Sequence, residues 1–172
     1  MSALPRSAGL WTRRDGMLSF VDQRFSALTS DCLTKAGWHP GRNVPFPPDL
    51  AAELRAAGHE LLPSARGFLA EFGGLTVAHR HLKSADRLDH FVIDGLRAAR
   101  GRDPAWIRDY ERRTRERALT PIGEASGGYL IMCMAPGGTV YGGYDDVLLK
   151  FGLTGDDTLE ALCTGRQYSE IA

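Results

Sequence analysis

A change of hydrophobic period near Leu119 constrains the fold of this chain more than any other feature. Downstream of it, apolar residues form short runs separated by glycine-rich turns, a pattern typical of antiparallel strands. The runs cover 119–122, 129–134, 139–141 and 147–151. The run at 129–134, YLIMCM, is apolar at every position. Because both faces of such a strand need cover, we predict that it is the central strand of an antiparallel meander.

Helical spacing dominates the first half of the chain instead. Apolar residues recur every three or four positions across 25–36, and Gly37 ends that pattern. A second helix is predicted over 47–58, because two prolines open the segment and a glycine closes it. A third is predicted over Pro63–Phe72, with Gly73 closing it in the left-handed conformation. Residues 25–72 are therefore predicted to be mainly helical.

Two further helix starts can be read from side chains that cap helices. Asp103 precedes a proline, and Thr154 has an acid three residues later, as in a capping box. Helices followed by a helix-interrupted meander predict an α+β fold. We expect a single domain over 17–172, with a mixed or antiparallel central sheet flanked by helices. Residues 1–16 lack periodicity and are predicted to be a flexible tail.

A polar segment separates two short predicted strands at 75–77 and 90–93, and we expect it to be a loop. Its histidines, His79 and His81, together with His90, could supply metal ligands, because residues two apart on a strand face the same side. No second motif at a metal-binding spacing completes the set. The sequence therefore favours a polar loop, with no metal and no cofactor.

Charge and cysteine content limit the class of protein. The formal net charge is zero, so the molecule as a whole does not attract nucleic acid or anionic membrane. Its three cysteines lie far apart without a CxxC spacing, which predicts reduced core thiols. Charged residues interrupt the first thirty positions, and no apolar run has the length of a membrane span. We predict a cytoplasmic protein.

Groups that could catalyse a reaction are few. The adjacent acids Asp145–Asp146 would point to opposite faces of a strand, and Asp156–Asp157 would serve a helix start. The glycine pairs at 127–128, 137–138 and 142–143 lack the spacing of a phosphate-binding loop and are predicted to be hairpin turns. Cys133 lies within an apolar run rather than in an electropositive setting. We therefore predict that the chain is not an enzyme and has no catalytic residues.

The segment 97–117 carries eight arginines against four acidic residues. On an amphipathic helix this excess could bind phosphate or an acidic protein surface. The alternative is ion pairing along the helix, such as Asp109 with Arg113 and Glu111 with Arg115, which would only solvate an exposed face. No aromatic platform or nucleic-acid-reading motif accompanies the charge, so direct nucleic-acid binding is not predicted.

The order of several short motifs resembles the third SUKH immunity family. The motifs are 33–42 (LTKAGWHPGR), 57–65 (AGHELLPSA), 68–75 (FLAEFGGL), 121–125 (PIGEA), 138–142 (GTVYG) and 159–165 (LEALCTG). The resemblance implies a SUKH-type α+β fold with no shared catalytic residues. It also implies a bacterial, cytoplasmic immunity protein that neutralises a polymorphic toxin, often a nuclease or deaminase.

Two functional hypotheses follow from the resemblance. The first is an immunity protein that occludes its cognate toxin stoichiometrically. The alternative is a regulatory or scaffold module that binds an endogenous protein without catalysing a reaction. The partner surface is expected to use aromatic, acidic and arginine side chains. The residues proposed for it are Trp38, Phe46, Tyr129, Tyr141, Tyr144, Asp145, Asp146, Arg108 and Arg112. A homo-oligomer remains compatible with the sequence.

Overall fold

A seven-stranded antiparallel sheet organises the computed structural model, which describes residues 10–14, 17–21, 24–81, 84–100 and 103–172. The strands follow one another in the sheet in chain order: β3 (Thr76–His81), β4 (Ser84–Val92), β5 (Thr120–Ala125), β6 (Leu130–Met134), β7 (Val140–Tyr144), β8 (Val147–Gly152) and β9 (Ser169–Glu170). The described helices are α1 (Ala27–Lys35), α2 (Leu50–Ala56), α3 (Pro63–Phe72), α4 (Gly95–Ala99), α5 (Pro104–Thr114) and α6 (Gly155–Thr164). The predicted α+β fold, with N-terminal helices and a C-terminal strand meander, is confirmed.

Side chains cap the starts of α1, α5 and α6, and for α5 and α6 these are the caps predicted from the sequence. Ser26 accepts a hydrogen bond from the Thr29 amide at the start of α1, and Asp103 accepts one from the Ala105 amide at the start of α5. The hydroxyl of Thr154 accepts from the Asp157 amide at 3.1 Å at the start of α6. Each bond satisfies a backbone donor that has no partner within the helix.

The end of α3 differs from the prediction. Gly73 has a φ of −55° and is not left-handed, whereas Gly74 has a φ of +81°. Gly73 is needed for another reason, because a Cβ there would overlap the carbonyl oxygen of Leu69. The left-handed turn therefore falls one residue later than predicted.

Helices cover both faces of the sheet. On one, which we call the α3 face, Phe72 packs in a core with Met132 and Val140. On the other, the α5 face, Tyr110 packs with Ile131 and Cys133. Alternate residues of β6 thus enter different cores, and β6 has three strands on each side of it. The prediction of a central strand covered on both sides is confirmed.

The β3–β4 hairpin corrects the predicted loop. Strand pairing continues from Thr76 to His81 and from Ser84 to Val92, where the sequence analysis placed short strands and a polar connection. Val77 and His79 are buried, while Thr76, Ala78 and Arg80 are exposed. This alternation is that of a half-buried strand. It was missed because the buried position 79 is a histidine, whose ring packs against Phe91 with a centroid distance of 5.7 Å.

The N-terminal region contains a hairpin formed by β1 (Leu10–Arg14) and β2 (Met17–Val21). The tail predicted over 1–16 overlaps β1, and its residues 1–9 and 15–16 lie outside the described residues. The domain boundary at residue 17 stays a prediction. Among the described residues, no helix has the length and apolar character needed to cross a bilayer.

Candidate partner-binding surface

Two turns meet at one end of the sheet and form the candidate surface. The turn from Ser126 to Tyr129 connects β5 to β6, and Asp145–Asp146 connects β7 to β8. Both lie at the same end, because adjacent antiparallel strands reverse direction. The rings of Tyr129 and Tyr144 contact each other edge to face, 6.3 Å between centroids. We call Tyr129, Tyr144, Asp145, Asp146 and Val147 the turn surface.

The turn surface contains three large apolar side chains that are exposed to solvent. Tyr129 is 70% exposed, Tyr144 43% and Val147 38%. They make up three of the six large hydrophobic side chains that are exposed within the described residues. A contiguous exposed apolar group is a mark of protein–protein contact, whereas scattered single residues are not. These side chains could therefore be buried by a partner.

The acidic tip gives the surface its charge. Asp145 adopts a φ of +45°, as two-residue hairpin loops require, and aspartate tolerates this conformation better than most residues. Both Asp145 and Asp146 are exposed, and in the described part of the chain neither carboxylate belongs to an ion pair. Two negative charges thus lie beside two exposed aromatic rings. This arrangement can accept a cationic group together with apolar contact.

Helix α5 supports the tip from the α5 face. The Tyr110 hydroxyl donates to the Asp145 carbonyl at 3.2 Å, and Arg113 Nη1 donates to the Asp146 carbonyl at 2.9 Å. Burial is the main cause that raises the pKa of Tyr110 to about 12, so the hydroxyl is protonated at neutral pH and can donate this hydrogen bond. The tip is therefore held through its backbone, and among the described residues neither carboxylate is used in an ion pair.

The glycines at 142–143 were predicted to form a turn but lie inside β7. A Cβ at Gly142 would overlap the Phe151 ring on the α3 face, and a Cβ at Gly143 would overlap the Tyr110 ring on the α5 face. Both glycines therefore serve close packing of an aromatic ring against a strand. The hairpin signal in the sequence is instead the pair of residues between Tyr144 and Val147.

Two of the nine residues proposed for the partner surface are buried. Trp38 is 4% exposed, stacks on Phe72 and donates from Nε1 to Glu71 at 3.1 Å. Tyr141 is 7% exposed, and its hydroxyl donates to Glu116 at 3.2 Å. Burial, followed by the nearby Glu116 carboxylate, raises the pKa of Tyr141 to about 12. We leave both residues out of the turn surface because their side chains complete the core.

The other proposed aromatic residue, Phe46, lies away from the sheet end. It is half-buried beneath the Arg66 guanidinium, 5.3 Å from the ring centroid. It lines an apolar groove of about 390 Å³ between the 42–47 loop, α3 and the start of α4. The structure therefore does not bring Phe46 together with the tyrosines.

The arginine-rich segment is largely engaged in internal ion pairs. Arg97 contacts Glu124 at 2.8 Å, Arg100 contacts Glu53 at 2.9 Å, and Arg117 lies 3.6 Å from Glu60. The exposed Arg112 pairs with Asp109, and Arg108 is exposed one turn earlier. These contacts favour the interpretation of a solvated helix face.

Of the two ion pairs predicted on α5, one forms. Arg113 and Asp109 lie 3.8 Å apart. Glu111 accepts instead from the Leu119 amide at 3.0 Å, and Arg115 leaves the helix with a φ of +59°. Within the described residues, Glu111 and Arg115 therefore do not pair.

The histidines do not converge on one point. His79 is buried on the α3 face, with Nδ1 2.9 Å from the Arg80 carbonyl, whereas His90 is exposed on the opposite side of β4. Across the described parts of the chain, no three His, Cys, Asp or Glu side chains are placed to hold a metal ion. His79 and His90 thus lie on opposite faces of the sheet, as strand alternation places them.

Comparison with known proteins gives one match. A family model described as SUKH-3 immunity protein matches residues 25–165. No curated protein and no solved structure matches significantly. The matched region includes α1 to α6 and every strand from β3 to β8, so it contains the whole turn surface.

Proposed function

The chain belongs to the SUKH-3 immunity protein family, and on that premise we propose that it protects a bacterial cell by binding and occluding one cognate toxin. The toxin is proposed to be the nuclease or deaminase domain of a polymorphic toxin, and the action to be stoichiometric rather than enzymatic. An occluding protein needs a stable scaffold and one contact surface, and it needs no catalytic group.

The turn surface is the observation that supports this proposal. Aromatic side chains near the centre of an interface supply much of its binding energy, and Tyr129 and Tyr144 are exposed in contact with each other. The carboxylates of Asp145 and Asp146 add charge for which the described chain provides no cation. A toxin that acts on nucleic acid needs arginine or lysine to bind phosphate. Such a basic surface is complementary to the turn surface.

Three further residues stay in the proposal as outlying contacts. Arg108 and Arg112 are exposed on α5, the helix whose Arg113 contacts the Asp146 carbonyl. Phe46 lines the apolar groove, and this groove could bind a side chain of a large partner. The two arginines are expected to contribute less binding free energy than the tyrosines, because exposed charges at the rim of an interface are screened by salt.

The direct test is purification with the toxin encoded beside this gene, followed by measurement of affinity and of protection of cells. We expect a one-to-one complex and survival of cells that express both proteins. Failure to bind at micromolar concentration, together with failure to protect, would reject the proposal. If the gene has no neighbouring toxin gene and the protein captures an endogenous protein, the regulatory alternative is favoured.

A matched pair of variants locates the contact. Replacement of both Tyr129 and Tyr144 by Ala is expected to weaken toxin binding by roughly 100-fold, as truncated aromatic anchors do. Leu153→Ala is the control, because Leu153 is 62% exposed at the far end of β8. Equal affinity of both variants would move the contact away from the turn surface.

A further inference from the structure

The backbone of the acidic tip is fixed by one arginine that reaches three carbonyl groups. Arg113 Nη1 donates to Asp146 at 2.9 Å, Nη2 donates to Ile171 at 2.6 Å, and Nε lies 3.5 Å from the Ala172 carbonyl. Its side chain is only 18% exposed. The planar guanidinium holds these donors in a fixed fork, so it ties the tip to the C-terminal segment as well as to α5.

The C-terminal segment is itself anchored to the sheet. The Ile171 amide donates to the Leu148 carbonyl at 2.7 Å, and the Ile171 side chain packs against the core of the α5 face. Tyr168 contacts Phe151 with a centroid distance of 4.4 Å. The Ile171 carbonyl that Arg113 reaches therefore belongs to a residue that the sheet holds in place. Movement of the tip would require release of contacts at both ends of Arg113.

Tyr110 provides a second restraint on the same turn. Its hydroxyl donates to the Asp145 carbonyl at 3.2 Å, while its ring covers Gly143 one residue before Tyr144. The tip contains a left-handed Asp145, a conformation that costs a non-glycine residue free energy and persists only when neighbours enforce it. Tyr110 donates to the carbonyl of the strained residue itself, and Arg113 donates to the carbonyl of the next residue, Asp146.

We propose that Arg113, assisted by Tyr110, is a positioning residue for partner recognition, which holds the Tyr144–Val147 turn in its binding conformation before the partner arrives. This inference rests on the proposed function. Neither residue needs to touch the partner, because the Arg113 donors and the Tyr110 hydroxyl are already bonded to backbone carbonyls. A preformed turn raises the fraction of molecules that can bind at each encounter.

Binding kinetics separate a positioning role from direct contact. Arg113→Met keeps an unbranched stem like that of arginine and removes all the guanidinium donors. The toxin encoded beside the gene should then associate roughly tenfold more slowly, while the dissociation rate stays within about twofold, because fewer molecules hold the competent turn. Tyr144→Ala should show the opposite division, with a faster dissociation rate. Arg55→Met is the control, since Arg55 is exposed on α2 and should leave both rates unchanged.

A second measurement reports on the turn without any partner. Hydrogen exchange of the amides in 144–147 should become faster in Arg113→Met and remain as in the native protein in Arg55→Met. If Arg113→Met does not fold, Tyr110→Phe replaces it, because the ring over Gly143 is kept and only the hydroxyl is lost. That variant should associate about twofold to threefold more slowly.

The outcomes distinguish this inference from the proposed function. A native association rate in folded Arg113→Met would overturn the inference alone, provided that Tyr144→Ala still weakens binding. Where Tyr110→Phe replaces Arg113→Met, a native association rate in that variant has the same meaning. An unchanged exchange rate in 144–147 would also overturn it. Absence of toxin binding by the native protein would overturn the proposed function and the inference together.

Discussion

Two regions of this protein combine aromatic rings with carboxylates. They differ in whether a side chain of the described part of the protein supplies the cation that pairs with those carboxylates. In the first, which we call the Arg24 corner, Arg24 donates to Asp156 at 2.5 and 2.6 Å and to Glu71 at 2.6 and 3.1 Å. Its guanidinium also lies 5.4 Å from the Phe72 ring centroid. At the turn surface, the carboxylates of Asp145 and Asp146 have no such cation within the described residues.

The comparison shows what a similar set of side chains does in two settings. At the Arg24 corner one cation pairs with two carboxylates and joins the segment before α1 to α3 and α6, so the group stabilises the fold. At the turn surface the same chemistry remains available to another molecule. Composition alone therefore does not separate a structural cluster from a binding surface, whereas the location of the counter-ion does.

Phe72→Ala tests the contrast most strongly, because Phe72 is 1% exposed and contacts Phe25, Trp38 and Phe68. We expect a loss of about 3–5 kcal/mol in the free energy of unfolding, from lost burial and the cavity left behind. Denaturant unfolding measures it. A stable Phe72→Ala protein that lost only toxin binding would contradict the division between the two regions.

Gly143→Ala sharpens the contrast at the boundary between core and turn surface. The added Cβ would overlap the Tyr110 ring, so α5 or the ring must shift, at a cost of about 2 kcal/mol. Gly137→Ala is the matched control, since a Cβ at Gly137 meets no atom within 4 Å and its φ is not positive. Similar unfolding curves for the two variants would show that the ring does not pack on β7 as described.

Arg24→Met removes the cation from the Arg24 corner while keeping an apolar stem over the rings. Because the Arg24 side chain is 33% exposed, solvent screening limits the expected loss to about 1 kcal/mol, measured by thermal or denaturant unfolding. Toxin affinity should stay unchanged. An affinity loss without a stability loss would mean that the corner, too, belongs to the contact surface.

His59 provides the smallest effect, and it belongs to neither region. The side chain is 5% exposed, its Nδ1 has no partner among the described residues, and burial lowers its pKa below the usual value. The unfolded state therefore binds a proton more readily than the folded state, so this contribution to stability is present near pH 7. It is lost as the pH falls from the ordinary histidine pKa towards the lowered folded one.

His59→Asn should accordingly flatten the dependence of unfolding free energy on pH below the ordinary histidine pKa. Comparison of the variant with the native protein at each pH cancels groups that titrate in both. The cavity beside His59 also contains Arg55, Glu60 and Arg66, whose charges both proteins retain. Parallel pH profiles would show that His59 titrates alike in folded and unfolded chains.

The sequence predicted the features that depend on neighbours in the chain. The cap at Thr154, the proline at the start of α5 and the alternating cover of β6 are local patterns, and all three are confirmed. The five-residue α4 and the two-residue β9 were not predicted, because so few residues carry no periodic signal. The fold class could therefore be predicted while its shortest elements could not.

The candidate site was harder to predict, because exposure depends on what packs across space. Tyr129, Tyr141 and Tyr144 lie in similar sequence settings, yet only Tyr141 is covered by α5-face residues. Three counter-ions of the arginine-rich segment, Glu53, Glu60 and Glu124, are all distant in sequence from the arginines that they contact. No single-sequence pattern carries that information.

Strand order bears on how this chain reaches its native state. From β3 to β9 each strand pairs with the next strand in sequence, and four of the six connections are short, while α4 and α5 separate β4 from β5 and α6 separates β8 from β9. Most of the sheet can therefore form with short loop closures. The Arg24–Asp156 contact instead joins residues 132 positions apart. We therefore expect this contact to form after most of the sheet, so that Arg24→Met accelerates unfolding and leaves the folding rate nearly unchanged.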